Sequence, residues 1–547
     1  MDKRDIDFLK HVNQLINEKN KSYNPVEAEK LLLQELENED TKIKAQCWKS
    51  LAKIYGNDYS VMENYEKALH YLDCYSGVNT EDFDVHVLYG KIYSDKHHVQ
   101  YDAQAAEEHY LKAIKVAGKK NHNFVKLKLS RLYADSESVI CDYDEAINII
   151  SDANDFKGSV SLQEGNIFNN ENCYFKDSQT AFECYMRSAE KGNYYGGYFS
   201  GKRMVDETDV NYNFKLGLDY LEQAAPEVIP AHILLGRIYQ NKNKGAYSLL
   251  KAHNHFSEAL EMLTAKENKK YCKLSDGDKK TKAQLKFYLG KIYATPENML
   301  CDYDKAINNL KQCISIYEGL GETNNVFINQ SHIMLGQIYA DKEAIHYNPY
   351  MAEAHYLVAL KNSEVLQEQG NEFNSTEHIA LQLNKLYTDE SSPLWNLDNA
   401  MDILRYGVND ENGIFLLKRG DIFADEKYHA YNMKAAIKCY MQAAEEKNNT
   451  TAMVRIAKCY LYGIGVEKDK QQGMNWLSRA ADAGDEYAKE YMKNIEEQNF
   501  KGYTYALLRQ LFSNMTHAKN KSLQKLQEAE FRTDSKQAKK ERYLHQD

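Results

Sequence analysis

A chain of 547 residues is longer than one hydrophobic core usually supports, so it is either several domains or an open-ended array of small units. Only 6 prolines and 27 glycines punctuate it, which suits many short helices and argues against an all-β architecture. A formal net charge of -11 argues against a general nucleic-acid binder, and no stretch approaches the roughly 20 apolar residues that cross a bilayer.

Read from the N-terminus, the opening MDKRDIDFLK has no apolar core of a signal peptide, which predicts a cytoplasmic chain or one exported by a non-classical route. Short phrases then recur: LAKIY ending at Tyr55, YGKIY at Tyr93, LSRLY at Tyr133, LGRIY at Tyr239, LGKIY at Tyr293 and LGQIY at Tyr339. With Phe168, Met204, Tyr387, Phe423 and Tyr460 they make a series of anchors, most of them 35 to 40 residues apart. Recurrence at such intervals marks a solenoid.

Other positions keep fixed distances from each anchor. Thirteen residues on, every copy has Ala or Gly, from Ala68 to Gly473. Seventeen on, every copy is large and apolar or aromatic, such as Tyr110, Phe256 and Tyr440. Position plus 20 is mostly small. These spacings place one apolar face on a second helix. Three residues before the anchor the chain is small, often Gly, with Asn384 the exception. A helical glycine costs about 1 kcal/mol against alanine, so its repeated use predicts close approach of the partner helix. Position plus 9 is Asn, Asp or Ser throughout and predicts the N-cap of that second helix. The aromatics at plus 8, Tyr101, Tyr212, Tyr247, Tyr347, Trp395 and Tyr431, are placed to staple over the small residue at plus 13.

The same ruler finds a degenerate first copy, with Asn24-Pro25, Ala28 and Leu32 counted from Leu15. It predicts an all-α, α/α superhelical solenoid of about twelve helix pairs: a capping repeat over 1–40, the repeat array over 41–500, and a closing helix with a charged tail over 501–547. Three intervals run to 54, 46 and 48 residues, and their polar extra residues, such as Lys266 to Lys282, are expected to lengthen helices or loops.

The copy from Ala452 to Ala488, with the turn Gly463-Ile464-Gly465-Val466, Asp469, Trp476, Ala480-Ala481 and Gly484-Asp485, resembles a Sel-one-like repeat, the shorter relative of the tetratricopeptide repeat. Elsewhere that glycine turn gives way to acidic or Asn-rich segments, which leaves those loop shapes open. The resemblance implies a superhelix with the anchor helices lining its concave side and a scaffold or adaptor that binds a protein or peptide there.

By the same analogy, position minus 2 faces the groove, and it is mostly basic: Lys53, Lys91, Arg131, Lys202, Arg237, Lys291, Lys385 and Lys458. Such a ladder would suit an acidic partner. Position plus 2 is mostly Asp or an amide, one helical turn beyond those cations, so ordinary ion pairs along a surface are the alternative.

No catalytic, cofactor or metal site is expected. There is no HExxH, GxSxG, phosphate loop or dinucleotide fingerprint. His97-His98 and His253 to His255 read as packed or surface residues, His255 sharing position plus 16 with His109 and His355. The ten cysteines lack CxxC spacing, and Cys184, Cys313, Cys439 and Cys459 read as small buried hydrophobes. The segment after Phe500, an apolar helix followed by a Lys/Arg-rich stretch, looks similar to tails of plasmid mobilisation relaxases. That second resemblance implies an accessory DNA-processing role through the tail.

Overall fold

The computed structural model describes residues 3–38, 42–58, 60–117, 123–369 and 376–497. The expected closing helix and basic tail over 501–547 lie outside the described residues. Twenty-five α-helices follow one another among the described residues, from Lys3–Ile16 to Glu486–Glu497, with one isolated bridge and no strand. The chain is an all-α array of helix pairs, divided into two compact units, Met1–Leu285 and Lys286–Asp547.

Each pair is set by its loop. The first helix ends at or within two residues of the anchor, as Phe83–Tyr93 and Ile229–Gln240 do. Nine residues later the cap residue returns its N–H to the anchor carbonyl, for example Asp102 to Tyr93 at 2.9 Å and Ser248 to Tyr239 at 2.8 Å. All twelve units close this way. The cap side chain accepts from the first turn of the second helix, as Asn64 does from the Lys67 N–H and Asp302 from the Lys305 N–H. The predicted caps are therefore real ones.

Between anchor and cap, two turns run in tandem. The N–H at plus 5 donates to the carbonyl at plus 2, and the N–H at plus 8 to the carbonyl at plus 5, as in His98 to Asp95 and Tyr101 to His98. The Asp or Asn at plus 2 accepts from the N–H two residues on: His97 donates to Asp95, Asn172 to Asn170, Lys427 to Asp425. The plus 2 side chains thus close the turn, and Asp135 and Asp389 also pair with Lys96 and Lys342 of the preceding repeat, rather than with the cation one turn before them. Acidic and Asn-rich loops thus share one shape that requires no left-handed residue. The copy after Tyr460 differs, with Gly463 at φ 74 and Gly465 at φ 70.

Packing follows the ruler. The small residue at plus 13 and the large one at plus 17 are buried in every copy, Ala106, Ala252 and Ala352 at 0 % exposure among them. A Cβ added to Gly90 would lie 2.5 Å from the Tyr110 ring, to Gly236 2.4 Å from Phe256, and to Gly336 2.6 Å from Tyr356. The glycine at minus 3 is thus the seat of the large side chain at plus 17. Where the seat is polar, it is satisfied: Ser130 donates to the Ala146 carbonyl at 2.7 Å and Asn384 to the Ala400 carbonyl at 2.9 Å.

The staple at plus 8 holds in some copies only: Tyr101 is half-buried and packed against the core, and Tyr347 is half-buried. Tyr212, Tyr247, Trp395 and Tyr431 are instead 37 to 46 % exposed. The long intervals do lengthen helices, to Leu249–Glu267, Asp276–Tyr293, Tyr303–Gly319 and Pro349–Glu368. In the first unit the connection after Glu267 also reaches back along the array. The Tyr271 carbonyl accepts from the Val61 N–H at 3.0 Å, Ser60 and Cys272 form the isolated bridge, and Lys273 pairs with Glu63.

The seat can be tested by filling it. Gly236→Ala and Gly336→Ala should each lower stability by about 1–3 kcal/mol through overpacking. Gly245→Ala, where nothing lies within 4 Å of the added carbon, should stay within about 0.5 kcal/mol of the parent in urea and thermal melts.

Candidate functional site

The anchor helices carry the minus 2 cations, and the structure gives these side chains three different situations. Lys53 is exposed and pairs with Asp84 at 2.9 Å. Lys91 donates to the Gly56 carbonyl at 2.8 Å and pairs with Asp58 at 2.8 Å. Arg131, Lys202 and Arg237 in the first unit, and Lys291 and Lys385 in the second, are exposed, and none has an ion-pair partner within 4 Å among the described residues. Lys458 is inside the protein at 1 % exposure, donating to the Tyr487 hydroxyl at 3.2 Å with the Tyr487 and Tyr491 rings around its ammonium.

One cation escaped the sequence reading. Lys128 stands three residues before Arg131, on the same face of helix Asn123–Tyr133. Burial, followed by the charges of Lys91 and Arg131, lowers its pKa, with Asp58 opposing. Three cations therefore gather around the second and third anchors. The signal was available, since a residue three before a helical position shares its face.

A second feature was missed altogether. Each histidine at plus 16 faces another at minus 7 of the same repeat. His86 and His109 bring their Nδ1 atoms to 3.1 Å, His232 and His255 to 3.1 Å, and His332 and His355 to 2.9 Å. No other repeat has histidine at either position. The pairing was therefore written in the sequence as a correlation between two registers. The helices bring these registers together for the reason that seats plus 17 against minus 3: both pairs join neighbouring turns of the same two helices.

The three pairs differ in their surroundings. In the first, His86 Nε2 is 3.0 Å from the Thr80 carbonyl, which places a proton on Nε2 and leaves Nδ1 to accept from His109. Lys112 is near enough for its charge to act on His109. In the second, the Tyr239 hydroxyl donates to Glu222 at 2.8 Å, Glu222 lies 3.4 Å from His255 Nε2, and Glu258 lies 3.5 Å from His232 Nδ1. His232, His255 and Glu258 are the group of side chains among the described residues able to hold a metal ion together. In the third, Lys311 acts on His355. Burial, then the neighbouring histidine and lysine, lowers the pKa of both His109 and His355 to about 4.

The cysteines read as buried hydrophobes behave as such. Cys184, Cys313, Cys439 and Cys459 are buried free thiols, and burial pushes Cys313 up to about 12.

Comparison with known proteins agrees with this architecture. The Sel1 repeat matches residues 50–74, 170–193 and 450–485. No curated protein matches the sequence. Among solved structures the chain is similar to c5321, a protective antigen present in uropathogenic Escherichia coli strains displaying an SLR fold, at 18 % identity and a TM-score of 0.54. That match covers 88 % of this chain and 92 % of the other. A Sel1 repeat protein from Oxalobacter formigenes matches at 16 % identity and a TM-score of 0.41, over 65 % of this chain and 90 % of that one.

The paired histidines make stability depend on pH. Folded His109 and His355 stay neutral down to about pH 4, whereas unfolded histidine takes up a proton near pH 6.5. Between those values the unfolded chain binds more protons, so stability is full above about pH 6.5 and falls as the pH drops toward 4. Thermal midpoints measured across that window should fall more steeply for the parent than for His109→Gln/His355→Gln. Equal slopes would remove these residues from the account.

Proposed function

We propose, from the premise that this chain is a Sel1-like repeat protein of the tetratricopeptide-like class, that it acts as a scaffold or adaptor holding an acidic protein or peptide on its anchor helices. Folds of this class generally mediate protein–protein interaction and are typically not enzymes. Among the described residues no helix is long and apolar enough to cross a membrane.

The observation that carries the reading is the gathering of Lys91, Lys128 and Arg131. Half-burying a lysine between two other cations costs free energy in the free protein, which is why its pKa falls. A carboxylate-bearing ligand at this place would offset that cost. Lys202 and Arg237 in the same unit extend the basic register with exposed side chains that take no ion pair among the described residues. Lys53 and Lys91 contribute less freely because each already has a carboxylate. Lys458 supports the last helices from inside and is left out of the binding register.

An acidic fluorescent peptide titrated onto the full chain tests this. Lys128→Gln/Arg131→Glu should weaken its binding about tenfold or more, and added salt should weaken binding to the parent. Unchanged affinity in that variant, with an unchanged melting profile, would leave the basic register a solvated surface.

A further inference from the structure

We propose that His232, His255 and Glu258 form a binding site for a first-row divalent metal ion, Zn²⁺ foremost, with Glu222 as the positioning residue behind His255. The site lies in the first unit, between helices Ile229–Gln240 and Leu249–Glu267.

Two of the donor separations are close to what such an ion requires. Zinc bound at 2.0–2.1 Å in a tetrahedron holds neighbouring donors about 3.3–3.4 Å apart. His232 Nδ1 is 3.1 Å from His255 Nδ1 and 3.5 Å from Glu258 Oε2, and all three ligand atoms lie within 4.8 Å of one another. Two imidazoles and a carboxylate are also the ligand set that borderline divalent ions prefer.

The surroundings prepare the ligands. Glu222, held by the Tyr239 hydroxyl, stands 3.4 Å from His255 Nε2 and favours the tautomer with its proton there. The His255 Nδ1 lone pair then points at the site. A carboxylate behind a ligating histidine is the usual way a protein fixes ring orientation and ligand basicity. His255 is also clamped against the Tyr239 ring, with 5° between the planes. A recess of about 360 Å³, lined by Glu222, Pro226, His232, His255, Glu258 and Glu261, opens beside the three donors and leaves room for water or a ligand at the remaining coordination position.

The other two histidine pairs serve as comparisons within the same chain. Their Nδ1 atoms approach equally well, so proximity alone is not the signal. What distinguishes the second pair is its third side chain. The residue at plus 19 from the anchor is Glu258 in this repeat, Lys112 in the first and Val358 in the third. At plus 18 of the preceding repeat, the place of Glu222 is taken by Asp73 in the first and Lys311 in the third. The repeat anchored at Tyr239 is the one among these three with a carboxylate at both places. In the first, the Lys112 ammonium would repel a cation. In the third, no carboxylate stands at either place, and Lys311 is nearby.

Calorimetric titration of the full chain with ZnCl₂, repeated with CoCl₂ and visible absorption, decides the matter. We expect a single equivalent bound tightly, with the Co²⁺ adduct showing tetrahedral bands, and a rise in the melting temperature on Zn²⁺ addition. His255→Ala and Glu258→Gln should each remove the bands and weaken Zn²⁺ by more than tenfold, and Glu222→Gln by about 10–100-fold. His86→Ala and His332→Ala should leave binding unchanged. Because Glu258 is mostly exposed, its variant tests the site without disturbing the core. No tight equivalent in the parent, or parent-like binding by both His255→Ala and Glu258→Gln, would overturn the assignment.

Discussion

The structure depends on one hydrogen bond repeated twelve times: the N–H of each cap residue returned to the carbonyl of the anchor nine residues before it. A single bond of this kind is worth only about 0.5–1.5 kcal/mol net. Its consequence is geometric. It fixes where the second helix starts relative to the end of the first, so every later side chain arrives at a known height on the partner helix. The cap N–H takes one of the carbonyls that a helix C-terminus would otherwise leave unpaired, and the tandem turns pair the backbone of the loop between the two residues. With start and end fixed, plus 17 must meet minus 3, and the pair buries a large side chain, in most copies against a glycine or a small residue.

That constraint explains what the sequence made legible. The minus 3, plus 13 and plus 17 positions lie on helices whose phase the loop has set, so a period of 3.6 read from letters carries directly into contacts, as Gly236 and Phe256 show. The caps were legible because few side chains can serve there. The aromatics at plus 8 were legible only in part: Tyr101 packs against the core, whereas Tyr212 and Tyr431 stay largely exposed. The acidic residues at plus 2 were likewise legible only in part: Asp95 and Asp425 use a side-chain oxygen as a local backbone acceptor, and where Asp135 and Asp389 do pair, it is with a lysine of the preceding repeat rather than with the cation one turn before.

Charge is distributed between neighbouring repeats more than along single helices. Lys96 reaches Asp135 at 2.7 Å, Lys342 pairs with Asp389, and the Tyr133 and Tyr387 hydroxyls donate to Glu107 and Glu353 of the preceding copies. These contacts join one repeat to the next at its outer edges, and exposed pairs of this kind add only a few tenths of a kcal/mol each. Stacking rests on the apolar faces, and the polar contacts set register. Cations that stand outside this traffic, Arg131 and Lys202 among them, have no such structural task. The distinction could not be read from a list of minus 2 residues, because it depends on which carboxylates the neighbouring repeat brings into reach. Lys458 makes the same point in reverse: the same register position is drawn inside where Tyr487 and Tyr491 supply ring faces and a hydroxyl to receive its ammonium.

A repeating frame also means that chemistry is decided one register at a time. The backbone delivers minus 7 and plus 16 to the same place in every copy, and in three copies both are histidine. With Val358 or Lys112 alongside, two neutral imidazoles sharing one proton form a sufficient pair, and burial keeps His109 and His355 uncharged in support of that arrangement. Replacing that third residue with Glu258 changes what the same two rings can do, since a carboxylate beside converging nitrogen lone pairs stabilises a cation that the rings alone would hold weakly. Glu222 adds a carboxylate behind His255, contributed by the second helix of the preceding repeat. The arrangement therefore requires two adjacent repeats in correct register. Loosening the loop that closes the Met204 unit, where the Asn213 N–H returns to the Met204 carbonyl, would displace Glu222 before it displaced either histidine.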